Sequence, residues 1–166
     1  MDYKKLIPDF KSVSKTDWAK PHIDTKDKNW LILAGCALLM VIFVFIPWFT
    51  ASEGLLEVNV LGITWMLGIF GLIFALVAVY GVLYNSLQFV FCGAVLAAIM
   101  GLIAWMVIPD VELEIAGKTV TVTSEQIKEG VKHGITKVSH LGSILFFLVS
   151  LALAAVSFLQ IKKANE

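Results

Sequence analysis

Residues 58–109 read VNVLGITWML GIFGLIFALV AVYGVLYNSL QFVFCGAVLA AIMGLIAWMV IP, with no Asp, Glu, Lys, Arg or His anywhere in the run. A helix needs about 20 mainly apolar residues to cross a hydrocarbon layer of about 30 Å. This run is over twice that length, so it is read as two crossings and a turn. The turn is the single polar cluster, Tyr84-Asn85-Ser86-Leu87-Gln88.

Working outward, two more stretches lack charge: Trp30 to Ser52 before it, and Leu141 to Ile161 after it. Each holds one crossing. The fold class predicted is therefore an all-α membrane protein, a four-helix transmembrane bundle with spans at about 30–49, 61–84, 87–108 and 141–161. Composition agrees. Hydrophobic residues make up 58% of the 166 positions and charged residues 16%, with a mean hydropathy of +0.85. A soluble domain carries about 25% charged residues, and a compact chain this small could not hide so much apolar side chain from water. A soluble enzyme, a disordered regulator and an extended nucleic-acid binder are poor fits, and no nucleic-acid partner is expected.

The chain has no arginine, so Lys carries every fixed positive charge. Seven lysines precede the first span and two follow the last, against four in the loops between, all of them in the second outer loop. The positive-inside rule then places both termini in the cytoplasm of a multi-pass cell-membrane protein. Lys-only basic usage points to an AT-rich bacterial genome. The polar N-tail, residues 1–29, and the length of the first apolar run argue for a retained signal-anchor instead of a cleaved leader. Pro47-Trp48-Phe49 at its end reads as an interfacial aromatic anchor. Within the tail, Tyr3, Leu6, Ile7, Phe10 and Val13 fall at helical spacing among lysines, the pattern of a helix lying on a membrane surface.

The outer loops, 50–60 and 109–140, are read as one extracytoplasmic lid. Val111, Leu113 and Ile115 alternate with glutamates, Ala116-Gly117 punctuates, and Val120 and Val122 alternate with threonines. That is a β-hairpin signal. A lone hairpin is marginal in water, and Leu56–Val60, which also alternates, is the expected third strand. Ser124 then reads as an N-cap, and Ile127, Val131, Ile135 and Val138 follow at helical spacing. This outline of four spans under a small outer sheet is similar to that of claudin-like proteins in shape alone. Their first-loop signature of tryptophan, Gly-Leu-Trp and paired cysteines is absent here.

Helices in lipid gain nothing from hiding Leu against Leu, so close backbone approach matters. Gly93, Ala97 and Gly101 form a small-residue ridge on the third span, and Gly68, Gly71 and Ala75 one on the second. These six are the expected helix-packing residues, within one chain or between copies. Ser143, Ser150, Ala154 and Ser157 form a further stripe.

Chemistry-bearing residues are few. The spans hold no ionisable acid or base, which argues against a proton-coupled transporter or pump. Cys36 and Cys92 read as packing residues, since no metal-ligand spacing accompanies them. The outer face holds one polar cluster, Asp110, Glu112, Glu114, His133 and His140, with the two histidines seven residues apart and on one face if their helix is continuous. No catalytic, cofactor or metal site is assigned, and no cofactor is expected. The function expected is an integral membrane structural or interaction protein, an accessory subunit or scaffold. A passive pore formed by a homo-oligomer is the alternative, and an outer-face membrane enzyme stands third. The expected partners are the lipid bilayer and either a protein partner or further copies of the chain.

Overall fold

The computed structural model describes residues 6–8, 20–53, 56–115 and 118–164. The chain is mostly helical. Three helices are long and apolar enough to cross a membrane and mark the protein as membrane-associated: α2 (Met66–Leu83), α3 (Leu87–Met106) and α5 (Leu141–Ala164).

The first apolar helix, α1, spans Lys28–Phe43 and is shorter. Its 16 residues rise about 24 Å. It starts where Asp27 accepts a hydrogen bond from the Asn29 N–H at 2.9 Å, which satisfies one of the free donors of a helix start. It ends in a tightened last turn, with Val44 and Phe45 N–H donating to the carbonyls of Val41 and Ile42. Pro47 lies just beyond, and the residue before a proline is disfavoured in helix. The span expected over 30–49 is therefore cut short. Pro47–Glu53 instead forms a strand, β1. Trp48 and Phe49, expected as an interfacial anchor, are fully buried.

Helices α1, α2, α3 and α5 enclose one apolar core that includes Met40, Ala75, Ala97, Phe146 and Leu153. α3 lies against both α2 and α5, and α1 against the same two. The turn between α2 and α3 occupies Tyr84–Ser86, where Asn85 adopts a φ of 52°. Asn is among the few side chains that accept that left-handed conformation readily.

All six ridge residues are buried. A Cβ on Gly93 would lie 2.7 Å from the Ala78 backbone nitrogen, so α2 and α3 touch backbone to backbone there. A Cβ on Gly101 would lie 3.1 Å from the Phe147 Cα, so the other end of the same ridge takes α5. Trp48 reaches into this core, its ring 4.8 Å from that of Phe146, and its indole N–H donates to the Phe43 carbonyl at 2.8 Å. Ser143, Ser150 and Ser157 are fully buried along α5, and their hydroxyls donate to carbonyls of the preceding residues at 2.7–3.0 Å.

The described residues between α1 and α2 and between α3 and α5 form a small α+β layer. A three-stranded antiparallel sheet has the order β2-β1-β5, with β2 at Leu56–Leu61 and β5 at Lys137–Ser139. A separate two-stranded hairpin joins β3 (Val111–Ile115) to β4 (Lys118–Val122). The segment expected as the hairpin's third strand, Leu56–Val60, pairs with β1 instead. Its partner was hidden at the end of an apolar run that reads as helix.

α4 covers Ser124–Lys132, capped by Thr123 in place of the expected Ser124, in a reciprocal arrangement with Gln126. Gly134, at φ +70°, turns the chain out of the helix, and the N–H groups of Ile135 and Thr136 return to the Gly130 carbonyl. The helical spacing of Ile135 and Val138 thus gives way to strand β5.

At the opposite end of the helices, the His22 N–H donates to the Leu83 carbonyl at 2.6 Å. The surface helix expected near Tyr3–Val13 lies, apart from residues 6–8, outside the described residues.

Candidate functional site

The strand alternation of β1 builds a cleft lined by both apolar and polar side chains. Phe49, Ala51 and Glu53 share one face of the sheet, since every second residue of a strand does. Phe49 and Ala51 are buried in a second apolar core with Val111 and Ile127, and Val58, Val60, Val122 and Val138 pack against it. The register explains the grouping. Ala51 sits opposite Val58 on one neighbour and Val138 on the other, and Phe49 opposite Val60. The hairpin brings Val111 opposite Val122, and α4 contributes Ile127 from its apolar side.

This core is not filled to its end. A cavity of about 250 Å³ opens between the sheet, the hairpin and α4, bounded by Ala51, Val58, Val122 and Ile127. Glu53 and Thr136 stand in its wall, and the Thr136 hydroxyl donates to Glu53 Oε2 at 3.4 Å. Glu53 is solvent-exposed and Thr136 is buried, so the pair marks the mouth.

The described members of the outer polar cluster expected from sequence take separate places in the fold. Asp110 accepts the Ser124 N–H at 2.5 Å and so tethers the start of α4 to the residue just before β3. Glu112 is exposed, and the Glu114 side chain is outside the described set. His133 is the exposed C-cap residue of α4. His140 lies beyond the helix break, half-buried, with its ring edge-on to Phe49 at 5.2 Å. The two histidines therefore share no helix face. Burial pushes the His140 imidazole below its ordinary value of 6.5, and a backbone hydrogen bond at Ala104 opposes the shift. Among the described residues, no three His, Cys, Asp or Glu side chains converge on a point that could hold a metal.

Cys36 and Cys92 are free thiols, and Cys92 Sγ lies 3.6 Å from the Leu6 carbonyl oxygen. Sequence reading passed over Glu53 and Thr136. The signal that would have found Glu53 is the alternation Phe49-Ala51-Glu53, legible once Pro47 is taken as the end of the helix.

No family model, no curated protein and no solved structure matches this chain.

Proposed function

We propose that the chain is an integral membrane protein of four spans with an outer lid, both termini cytoplasmic, acting as an accessory subunit or scaffold in a bacterial cell membrane. The observation that carries this reading is where the small and polar residues of the helices are used. Gly68, Gly71, Ala75, Gly93, Ala97 and Gly101 are all buried within a single copy, Ser150 and Ser157 are bonded to their own helix, and Ser143 to the His140 carbonyl just before it. The small residues of the membrane part are thus used internally, and it turns mainly leucine, isoleucine and phenylalanine outward, while the buried Trp30 Nε1 and Gln160 Nε2 have no hydrogen-bond partner among the described residues. Such a body anchors. Among the described residues it offers no polar path of its own, and interaction is left to the lid.

The fourth span in this reading is α1. It lies between α2 and α5, and the charge-free run continues past its end into β1. The lid exposes Val120, Val131 and Ile135, apolar side chains available to a protein partner. Native mass spectrometry of the protein extracted gently from its own membrane tests the reading. A stoichiometric hetero-complex is expected. A symmetric homo-oligomer would overturn it in favour of a pore, and a bare monomer would remove the scaffold role.

A further inference from the structure

We propose that the outer cavity is a binding site for a small organic amine, a ligand with a compact apolar body and a protonated amino head that Glu53 receives. The inference goes beyond the scaffold reading and does not depend on it.

Three observations meet here. The first is size. A cavity of 150 Å³ lined by apolar side chains admits benzene, and a water takes about 30 Å³ of liquid volume. The space of about 250 Å³ therefore suits a body of about eight to ten heavy atoms. The second is lining. Val58, Val122 and Ile127 come from three different elements and give the cavity a mainly hydrocarbon wall, to which Ser52 and Gln126 add neutral polar groups. A cavity of that character gives an apolar body its affinity, while a small number of placed polar groups fix its orientation.

The third is charge. β1 alternation carries Glu53 on the same face as Phe49 and Ala51, so a carboxylate continues an apolar row at the mouth. Thr136 is its neutral donor, and among the described residues no lysine lines the cavity. The two outer loops hold seven carboxylates against four lysines, so the surrounding field also favours a cation. An ammonium hydrogen-bonded to a carboxylate is roughly twice as strong as a neutral pair. The mouth therefore selects an amine over an alcohol of the same shape, and rejects an acid.

The test uses the full chain in nanodiscs with its valine and isoleucine methyl groups isotopically labelled. Three probes share one body: phenylpropylamine, phenylpropanol and phenylpropionate. The expected result is a saturable shift of the Val58, Val122 and Ile127 methyl signals with the amine. The alcohol should bind about tenfold more weakly, and the acid should leave the signals unmoved. Glu53→Gln should bring amine and alcohol to within about twofold of each other, and Val122→Phe, which fills the space, should abolish the shifts. Unmoved methyl signals with all three probes would overturn the proposal. So would equal binding of amine and alcohol by the native chain, a comparison that needs no variant to fold.

Discussion

Gly93 and Gly35 are both glycines inside apolar helices, yet they do different things. Around Gly35 nothing comes within 4 Å of where a Cβ would be, whereas at Gly93 the Ala78 backbone stands 2.7 Å away. Backbone cannot rotate aside as a flexible side chain can, so an added methyl must push α2 and α3 apart. Gly93→Ala should cost about 1–3 kcal/mol, as overpacking does. Gly35→Ala should be neutral or stabilising by up to about 1 kcal/mol, through helix propensity. Thermal unfolding in detergent compares them, and equal melting points would break the argument.

His140 makes a second prediction at this scale. Its folded value is lowered by burial, so between that value and 6.5 the folded protein binds fewer protons than the unfolded chain. Stability rises with pH wherever the unfolded state binds more protons. The native chain should hold its stability above about pH 6.5 and lose it as pH falls further, and His140→Phe should flatten that loss. Melting curves at pH 8 and pH 5.5 for the two proteins provide the check.

At the scale of elements, α4 depends on its caps. Only nine residues long, it is far below the length at which an isolated helix persists in water. Its start is held by Thr123, whose side chain accepts the Gln126 N–H, and by Asp110 at Ser124. Thr123→Ala should cost about 1 kcal/mol and speed amide exchange along α4 while leaving α3 and α5 unchanged. Exchange that rises uniformly through the chain would show that the cap does more than hold its own helix.

The same scale shows why β1 was hard to read. From Trp30 to Ser52 the chain is continuously uncharged, and an apolar run can be helix or strand without any change of periodicity. The proline toward its end, Pro47, was the local clue. The strands whose polar residues alternate, 56–60, 111–115 and 118–122, were legible as strands. The pairing of 111–115 with 118–122 was legible too, being local; the partner of 56–60 lay hidden in an apolar run, and the pairing of β1 with β5 joins distant residues, since Ala51 meets Val138 only after α2 and α3 have folded back.

At the scale of the molecule, the lid and both charged tails lie at opposite ends of the apolar helices in the proposed topology. Engineered single cysteines, introduced after replacing Cys36 and Cys92 with alanine, read this directly. A cysteine at exposed Glu129 in the lid should react with an impermeant maleimide in intact cells, and one at Lys163 should react only after permeabilisation. The reverse labelling would invert the topology. Agreement would leave the outer cavity facing small molecules in the surrounding medium.

What the sequence determined by itself was the membrane class, the three long apolar helices, the turn at Asn85 and the hairpin over 111–122. These rest on local quantities: hydropathy summed over a window, alternation, and a polar cluster inside an apolar run. Tertiary structure alone decided that the segment after Pro47 is a sheet strand, which strands join it, and that Glu53 stands at the mouth of an apolar cavity. Each of those follows from hydrogen bonds and packing between segments far apart in the chain, which no window along the sequence contains.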